Sequence, residues 1–312
     1  MLAEVTQQLT LHEGSIFVDC TLGGAGHTKR IAEFVGSTGT IVGIDQDDAA
    51  LVAAAATLRL GQQEFDGQDL PNIVLVKGNF GNLDVALLEA RIPYVDAFLF
   101  DLGVSSPQLD VANRGFTYQE DVPLDMRMDP QTQPMTAADI VNSYSEDEIA
   151  RVLRVYGEER WASRIAAFIV AARGRSPLTT TGELVEIIKA AIPVAARKGK
   201  GHPARRTFQA LRIEVNHELD VLDRGLRSAV RWLSPQGRIA VISYHSLEDA
   251  IVRDVFAEYA QGCICPPDLP VCRCGREPVL RLVVRRPIVP TADEVDRNPR
   301  ARSARMRVAE RL

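Results

Sequence analysis

The chain has 312 residues, of which 46% are hydrophobic and 25% are charged, and its formal net charge is −5. This composition is ordinary for a globular protein, and the length exceeds that of a typical domain, so we expect one large domain that carries a second. No apolar run is long enough to span a bilayer, and Glu4 interrupts the start of any secretory signal. The composition therefore predicts a cytoplasmic protein with no membrane partner.

The first hundred residues alternate strand-like and helix-like segments. The strand-like segments are short, rich in β-branched and aromatic residues, and bounded by Gly, Asp or Asn, and they cover residues 15–19, 40–45, 73–76 and 97–100. Ala-rich helical stretches lie between them, at 47–60 and 83–90. This alternation predicts an α/β fold, in which a doubly wound parallel sheet is covered by helices on both faces.

The pattern changes after about residue 110. Residues 113–134 predict a structured loop, and helical periodicity follows, with Thr180 and Glu183 forming a capping box. One long helix with an apolar stripe from Phe208 to Val230 is expected next, ending at residues 234–237. Strand character returns at residues 238–243, 280–284 and 305–309. We therefore expect an α/β core at 1–109 and 206–312, with an inserted helical domain at 110–205 between its fourth and fifth strands.

A glycine-rich turn directly after the first strand is the main chemical signal. It begins at Asp19 and contains Gly24 and Gly26, and glycines in such a turn let the backbone approach a ligand closely. Asp45 ends the second strand, where a carboxylate can accept hydrogen bonds from both hydroxyls of a ribose. The residues of a phosphate-binding P-loop are missing, and Lys29 stands where a dinucleotide site would place its third glycine. The pattern favours S-adenosylmethionine, and a plain strand-to-helix turn stays an alternative.

Two further strand ends could contribute to the same site. Phe80 follows the third strand, where its ring could stack on an adenine or could simply belong to the core. Asp101 ends the fourth strand, and the carboxyl ends of parallel strands face the ligand crevice. Both residues are therefore candidates for the cofactor site.

Four cysteines lie within twelve residues, whereas Cys20 stands alone. In a reducing compartment the cluster of Cys263, Cys265, Cys272 and Cys274 does not predict disulfides, but it could hold one zinc ion tetrahedrally. The spacing of one residue within each pair is tighter than in common zinc sites. Zinc binding and four metal-free thiols both stay open, and we assign no metal ligand to the catalytic site.

Basic residues are concentrated in two runs, at 189–213 and 297–311. A solvated surface is the ordinary explanation, but two such runs in a weakly acidic chain favour contact with phosphate groups. The predicted phosphate contacts of the inserted segment are Arg197, Lys198, Lys200, Arg205 and Arg206.

Five separated motifs together resemble the bacterial 16S rRNA (cytosine-N4)-methyltransferase family, the MraW or RsmH proteins. They are Asp19-Cys-Thr-Leu-Gly-Gly-Ala-Gly-His27, Asp101-Leu-Gly-Val-Ser-Ser-Pro-Gln-Leu109, Arg206-Thr-Phe-Gln-Ala-Leu-Arg-Ile-Glu-Val-Asn-His-Glu218, Ile242-Ser-Tyr-His-Ser-Leu-Glu-Asp249 and Asn298-Pro-Arg-Ala-Arg-Ser-Ala-Arg305. The resemblance runs nearly end to end. A His-x-Pro-Val stretch that family members usually carry near the N-terminus is absent, and the cysteine cluster is not a general feature of the family.

The resemblance implies a class I methyltransferase core that uses S-adenosylmethionine. It implies that the substrate is a cytidine in the decoding region of 16S rRNA, within the small ribosomal subunit, and that the product is N4-methylcytidine. The inserted helical domain would then help to hold the RNA. The implied cofactor contacts are Gly24, Ala25, Gly26, His27, Asp45, Phe80, Asp101 and Gln108.

A cytosine amine is a poor nucleophile, so the enzyme must hold it in line with the methyl group. Asp101 is the candidate to orient the amine, although it could instead contact only the methionine part of the cofactor. Tyr244 and His245 end the fifth strand on the same rim, where they could stack on and bond the base, or form a loop of satisfied polar groups. Covalent catalysis through Cys20 is not expected, because attack by an amine needs no activation of the ring.

Three rival functions remain open on the sequence. An NAD-dependent oxidoreductase is disfavoured by Lys29. A non-catalytic ribosome-assembly factor is disfavoured by the intact cofactor residues, which are Gly24, Gly26, Asp45 and Asp101. A DNA amine methyltransferase would usually carry an Asp/Asn/Ser-Pro-Pro-aromatic tetrad where this chain has Asp101-Leu-Gly-Val, so DNA is not expected as a partner. The sequence does not fix the oligomeric state.

Overall fold

The computed structural model describes residues 1–58, 64–65, 68–103, 114–197, 201–266 and 271–312. The chain divides into two compact units. We call Met1–Gly103 with Leu219–Leu312 the core unit, and Val104–Glu218 the inserted unit. No helix in the described part of the chain combines the length and the hydropathy that a bilayer crossing requires.

The core unit contains the strands. In chain order they are β1 (Ile16–Asp19), β2 (Thr40–Asp45), the short antiparallel pair β3 (Glu64–Phe65) and β4 (Gln68–Asp69), β5 (Asn72–Lys77), β6 (Val95–Asp101), β7 (Leu233–Ser243), β8 (Leu280–Leu282) and β9 (Arg305–Arg311). All seven predicted strands are confirmed, with ends that differ by a few residues. The largest extension is at β7, which begins at Leu233 rather than at Arg238.

The main sheet of the described residues has the order β5-β2-β1-β6-β7-β9-β8. The first five strands of that order are parallel, and β9 runs antiparallel between β7 and β8. The chain reverses its direction of winding between β1 and β6, and ligands bind at such a switch point, outside the carboxyl ends of the strands. The expected α/β fold with a doubly wound, Rossmann-like sheet is confirmed.

The helices follow the strand alternation. Those of the core unit are α1 (Leu2–Leu9), α2 (Gly26–Val35), α3 (Asp48–Thr57), α4 (Leu83–Glu89), α11 (Glu218–Trp232), α12 (Ser246–Ala260) and α13 (Ala292–Arg297). Those of the inserted unit are α5 (Ala137–Ser143), α6 (Glu146–Val155), α7 (Ala162–Arg173), α8 (Thr181–Ala191), α9 (Val194–Arg197) and α10 (Arg205–Asn216).

Both faces of the sheet are buried. Alternate strand residues point to opposite faces, so Phe17 and Leu99 pack with α1 and α2, whereas Phe98 and Phe100 pack with α4, α11 and α12. Each of these large side chains contributes about 1.5–3 kcal/mol to the stability of the fold. A sheet buried on both faces leaves its carboxyl-terminal edge as the place where polar side chains can meet.

The prediction of a single long helix between residues 208 and 230 is wrong. His217 adopts a left-handed backbone conformation (φ 50°), which ends α10 before α11 begins. The apolar stripe therefore serves two cores, because Phe208 and Leu211 pack in the inserted unit and Leu222 packs in the core unit.

The inserted unit is helical, as expected, and its core is built from apolar helix faces. The predicted capping box at Thr180 and Glu183 is confirmed. The boundary of the unit differs from the predicted residue 205, because α10 packs with α6 and α5 and the unit ends at Glu218. Within residues 114–134 the backbone is fixed by polar contacts such as the bidentate bond from Arg127 to Asp125, in line with a structured loop.

Candidate active site

Asp19 holds the turn after β1 in place. The Asp19 carboxylate is 2% exposed and accepts hydrogen bonds from the Thr28 hydroxyl at 2.6 Å and from the Thr21 amide at 3.1 Å. Burial raises the pKa of Asp19 to about 6. The two oxygens of Asp19 therefore support the turn after β1 and the first turn of α2.

The glycine backbone of the same turn borders open space. A Cβ placed on Gly24 or Gly26 would meet no atom within 4 Å, and the same is true of Gly78, directly after β5. Ala25, between the two glycines, caps α2 with a left-handed backbone (φ 60°), a conformation that costs a non-glycine residue about 1 kcal/mol or more. Backbone that borders open space at two neighbouring strand ends is a cradle into which a ligand fits.

Asp45, at the end of β2, joins this cradle to the neighbouring strand. One carboxylate oxygen accepts a hydrogen bond from the Gly23 amide at 2.8 Å, and the other accepts one from the Asp47 amide at 2.9 Å. Burial raises the pKa of Asp45. Each oxygen of a carboxylate has two acceptor positions, so both can still accept a hydroxyl proton from a ribose. The expected ribose acid therefore fits the site.

Asp101, at the end of β6, lies between two side chains from other elements. The Tyr244 hydroxyl donates to Oδ1 at 2.8 Å, and the Nδ1 atom of His27 lies 3.4 Å from Oδ2. The backbone amide of Asp101 donates to the Thr21 hydroxyl at 2.6 Å, which fixes the strand end against the turn after β1. The side chains of His27 and Asp101 keep 20% and 26% of their surface exposed, so the group is accessible from the crevice.

The ionisation of this group follows from its packing. Burial raises the pKa of Asp101, although His27 and the Tyr244 hydroxyl both oppose the increase. Burial and the neighbouring Asp101 carboxylate raise the pKa of Tyr244 well above its usual range. Tyr244 therefore remains protonated and donates, and Asp101 is the acceptor that can change its protonation state. The structure thus brings together His27, Asp101 and Tyr244, three of the predicted residues.

His245 has a different partner set. It is the N-cap of α12, where its Nδ1 atom accepts from the Glu248 amide at 3.3 Å, while the Glu248 carboxylate accepts from the Tyr244 and His245 amides. The buried Nε2 atom lies 3.1 Å from the Glu248 carboxylate without a hydrogen-bond geometry. This arrangement orients the end of β7, and it gives His245 a structural role in placing Tyr244.

Phe80 is half-buried and packs among core residues. Its ring meets the Phe100 ring edge to face at 5.5 Å, and a Cβ on Gly225 would lie 2.7 Å from it. The ring therefore packs against β6 and α11, and its stacking on an adenine stays a prediction.

The remaining predicted residues lie apart from this group or cannot be placed. Gln108, Lys198 and Lys200 lie outside the described residues. In the inserted unit, Arg205 and Arg206 are exposed and Arg197 is half-buried. Arg206 donates to the Glu158 carbonyl and Arg197 to the Ile192 carbonyl.

The sequence analysis missed the polar residues that hold the strand ends in place. Thr21 and Thr28 bind Asp101 and Asp19, and Asn79 donates to the Gln46 side chain at 3.0 Å beside the end of β5. Their signal in the sequence is position alone, because each one lies two residues after a strand or in the first turn of a helix. Threonine and asparagine are common in such turns without a function, so only the fold reveals these roles.

Comparison with known proteins identifies the family of this chain. The model of the MraW methylase family matches residues 1–312. Proteins named ribosomal RNA small subunit methyltransferase H from Paenibacillus sp. and Symbiobacterium thermophilum are 52% identical over 318 residues and 51% identical over 312 residues. These matches cover 100% of this chain and 98% and 95% of the two relatives. The chain therefore belongs to the MraW methylase family and is an S-adenosylmethionine-dependent methyltransferase.

Proposed function

We propose that this chain methylates the exocyclic N4 atom of a cytidine in the decoding region of 16S rRNA. The substrate RNA would lie within the small ribosomal subunit, in the cytoplasm. The relatives named as small subunit rRNA methyltransferases support the RNA substrate, and the family resemblance of the five motifs supports cytosine N4. The observation that carries the proposal is the Asp101 carboxylate, held by Tyr244 at 2.8 Å at the switch point of the sheet. An acceptor in that position suits an amine nucleophile.

The cofactor would be held by the turn after β1 and by two carboxylates. The amides and open backbone around Gly24 and Gly26 would accommodate its methionine part, and Asp45 would accept the ribose hydroxyls. When bound, S-adenosylmethionine supplies an electrophilic methyl group. His27, in the first turn of α2, would border the reacting edge next to Asp101.

Asp101 would orient the amine. The lone pair of a cytosine amine is delocalised into the ring, and a carboxylate that accepts one N–H bond favours the pyramidal nitrogen needed for in-line attack. Once it carries the methyl group, the amine would hold one proton too many. Asp101, with its raised pKa, can accept that proton and release it to solvent. Tyr244 keeps the carboxylate in one orientation throughout.

Methyl transfer from isotope-labelled cofactor decides the substrate. Assembled small subunits, naked 16S rRNA and duplex DNA are offered in parallel, and the labelled nucleoside is identified after digestion. We expect N4-methylcytidine in RNA at a single position. Label on DNA alone, or on a carbon atom of the base, would overturn the proposal, and a parallel reaction without enzyme serves as the control.

Removing the ribose acid is expected to weaken cofactor binding. Asp45→Ala should raise the Kd of S-adenosylmethionine about 100-fold, because two charge-assisted hydrogen bonds are worth about 1.5–3 kcal/mol each and part of that is recovered by water. Calorimetric titration measures the Kd. The matched control is Asp48→Ala, which loses an exposed carboxylate paired with Lys77 at 2.6 Å and should stay within about twofold of the parent. A Kd for Asp45→Ala within threefold of the parent contradicts the assignment.

The exposed arginine at the start of α10 is expected to contact phosphate. Arg205→Ala should weaken RNA binding severalfold. The plot of the logarithm of the binding constant against the logarithm of the salt concentration should become less steep by about 0.7–0.9, the value for one lost phosphate contact. Filter binding between low and moderate salt gives the slope. Arg175→Ala removes another exposed arginine of the inserted unit and serves as the control. An unchanged slope for Arg205→Ala would exclude that contact.

A further inference from the structure

The segment between α12 and β8 brings four thiols together. The sulfur atoms of Cys263, Cys265, Cys272 and Cys274, which we call the cysteine cluster, all lie within 4.8 Å of one another. Cys272 Sγ lies 3.5 Å from Cys274 Sγ, and Cys274 Sγ lies 3.8 Å from Cys263 Sγ. All four cysteines are free thiols. The question is what this arrangement is built to hold.

The sulfur spacing matches a tetrahedral zinc site. Zinc binds thiolates at about 2.3 Å, so the sulfurs at neighbouring corners of a tetrahedron stand about 3.8 Å apart. The two closest distances in the cysteine cluster are near this value, and its upper bound of 4.8 Å leaves room for the metal. A disulfide requires a sulfur–sulfur bond of about 2.05 Å, which none of these pairs forms.

Backbone amides point at the sulfurs. The Cys265 amide donates to Cys263 Sγ and the Arg273 amide donates to Cys265 Sγ, each at 3.4 Å. Amide hydrogen bonds to sulfur stabilise the negative charge of thiolates, which a zinc site needs because four thiolates carry two charges more than the ion supplies. Arg273 and Arg276 add two positive charges to the same segment.

Hydrophobic burial does not explain why the thiols meet. Cysteines usually come together in an apolar core, but Cys263 and Cys272 are exposed. Their apolar neighbours Ile264 and Val271 are also exposed, by 53% and 69%. In the described part of this segment, no core is available to hold the thiols in place. A ligand that binds all four sulfurs would supply that stabilisation.

We propose that Cys263, Cys265, Cys272 and Cys274 bind one Zn²⁺ ion as four thiolates. Each thiol releases its proton to solvent on binding, and the closed set of four ligands leaves no position for a substrate. The role of the metal is structural, since it ties the end of the α12–β8 segment to its beginning. The site is separate from the residues that we assign to methyl transfer.

Metal analysis of the full chain tests the proposal. Protein produced with zinc in the medium and kept reduced should contain about one zinc ion per chain, and replacement by Co²⁺ should give the absorption bands of a tetrahedral thiolate site. Titration with a mercurial reagent should release the zinc as four thiols react. This last measurement needs no variant, so it holds even if a cysteine substitution impairs folding.

Two variants separate the cluster from the fifth cysteine. Cys263→Ala combined with Cys272→Ala should reduce the zinc content at least tenfold. Cys20 is buried in the turn after β1, outside the cysteine cluster, so Cys20→Ala should leave the zinc content unchanged. Reduced parent protein that takes up less than about a tenth of an equivalent of zinc, and shows no thiolate bands with Co²⁺, would overturn the proposal. Loss of zinc from Cys20→Ala but not from the double variant would overturn it as well.

Discussion

Asp101→Asn is expected to lower kcat about a thousandfold, in the middle of the range for a group that orients and then accepts a proton. The asparagine keeps the size of the side chain and one acceptor oxygen. It loses the negative charge that draws the amine into a pyramidal geometry, and it cannot accept the departing proton. Single-turnover methyl transfer to small subunits at saturating cofactor measures the chemical step directly.

The same variant separates two roles for Asp101. If the carboxylate orients the amine, kcat falls while the Kd of S-adenosylmethionine changes by less than about threefold. If it contacts only the methionine part of the cofactor, the Kd rises and kcat at saturation is retained. That second outcome would remove Asp101 from the chemistry and leave the amine without an identified acceptor.

Tyr244→Phe gives an independent readout through pH. Only the ionised Asp101 carries the negative charge that draws the amine into a pyramidal geometry and can take up its proton, so the rate falls as the pH falls through the pKa of Asp101. The Tyr244 hydroxyl lowers that pKa, and its removal should therefore shift the acid limb of the kcat profile to higher pH. We expect a loss in kcat of about tenfold at neutral pH, which is the worth of one such hydrogen bond. An acid limb that stays in place would show that Tyr244 does not act through Asp101.

The sheet was predictable because its signals are local. A buried parallel strand needs a short apolar run, and the residue that follows it lies at the ligand edge whatever the rest of the fold does. Asp45 and Asp101 could therefore be assigned to one rim from the sequence. The open space beside Gly24 and Gly26 agrees with the reason for which those glycines were singled out.

Other features depend on tertiary contacts that no local pattern contains. The break at His217 has no glycine or proline to mark it, and an apolar stripe looks the same whether it serves one core or two. His245 is a poor match to the usual N-cap residues, so its capping box with Glu248 was not expected. The partner of Tyr244 lies 143 positions away in the chain, and only the sheet register between β6 and β7 brings the two residues together.

Asp19→Asn is expected to stabilise the protein at neutral pH. A pKa of about 6 lies about two above that of a free aspartate, so keeping the buried group ionised costs about 3 kcal/mol. The native state binds the proton more tightly than the unfolded state does. The cost is therefore absent below about pH 4, grows between pH 4 and 6, and is complete above pH 6.

Asparagine removes this cost but keeps the polar contacts. Its carbonyl oxygen can accept from the Thr21 amide, and its amide group can donate to the Thr28 hydroxyl. Neutral hydrogen bonds are weaker than those of a carboxylate, so we expect a net gain in the free energy of unfolding of about 2 kcal/mol at pH 8. Urea unfolding of both proteins at pH 8 and at pH 4.5 gives the difference, which should shrink toward zero at the lower pH.

The companion variant is Thr28→Val, which removes the donor at 2.6 Å and leaves the carboxylate in place. The Thr28 hydroxyl lowers the pKa of Asp19, so its loss should destabilise the protein more at pH 8 than at pH 4.5. Opposite signs for Asp19→Asn and Thr28→Val at pH 8 are the signature of a carboxylate kept ionised at a cost. A destabilised Asp19→Asn at pH 8 would instead mean that the charge itself holds the turn after β1, and cofactor affinity should then fall with it.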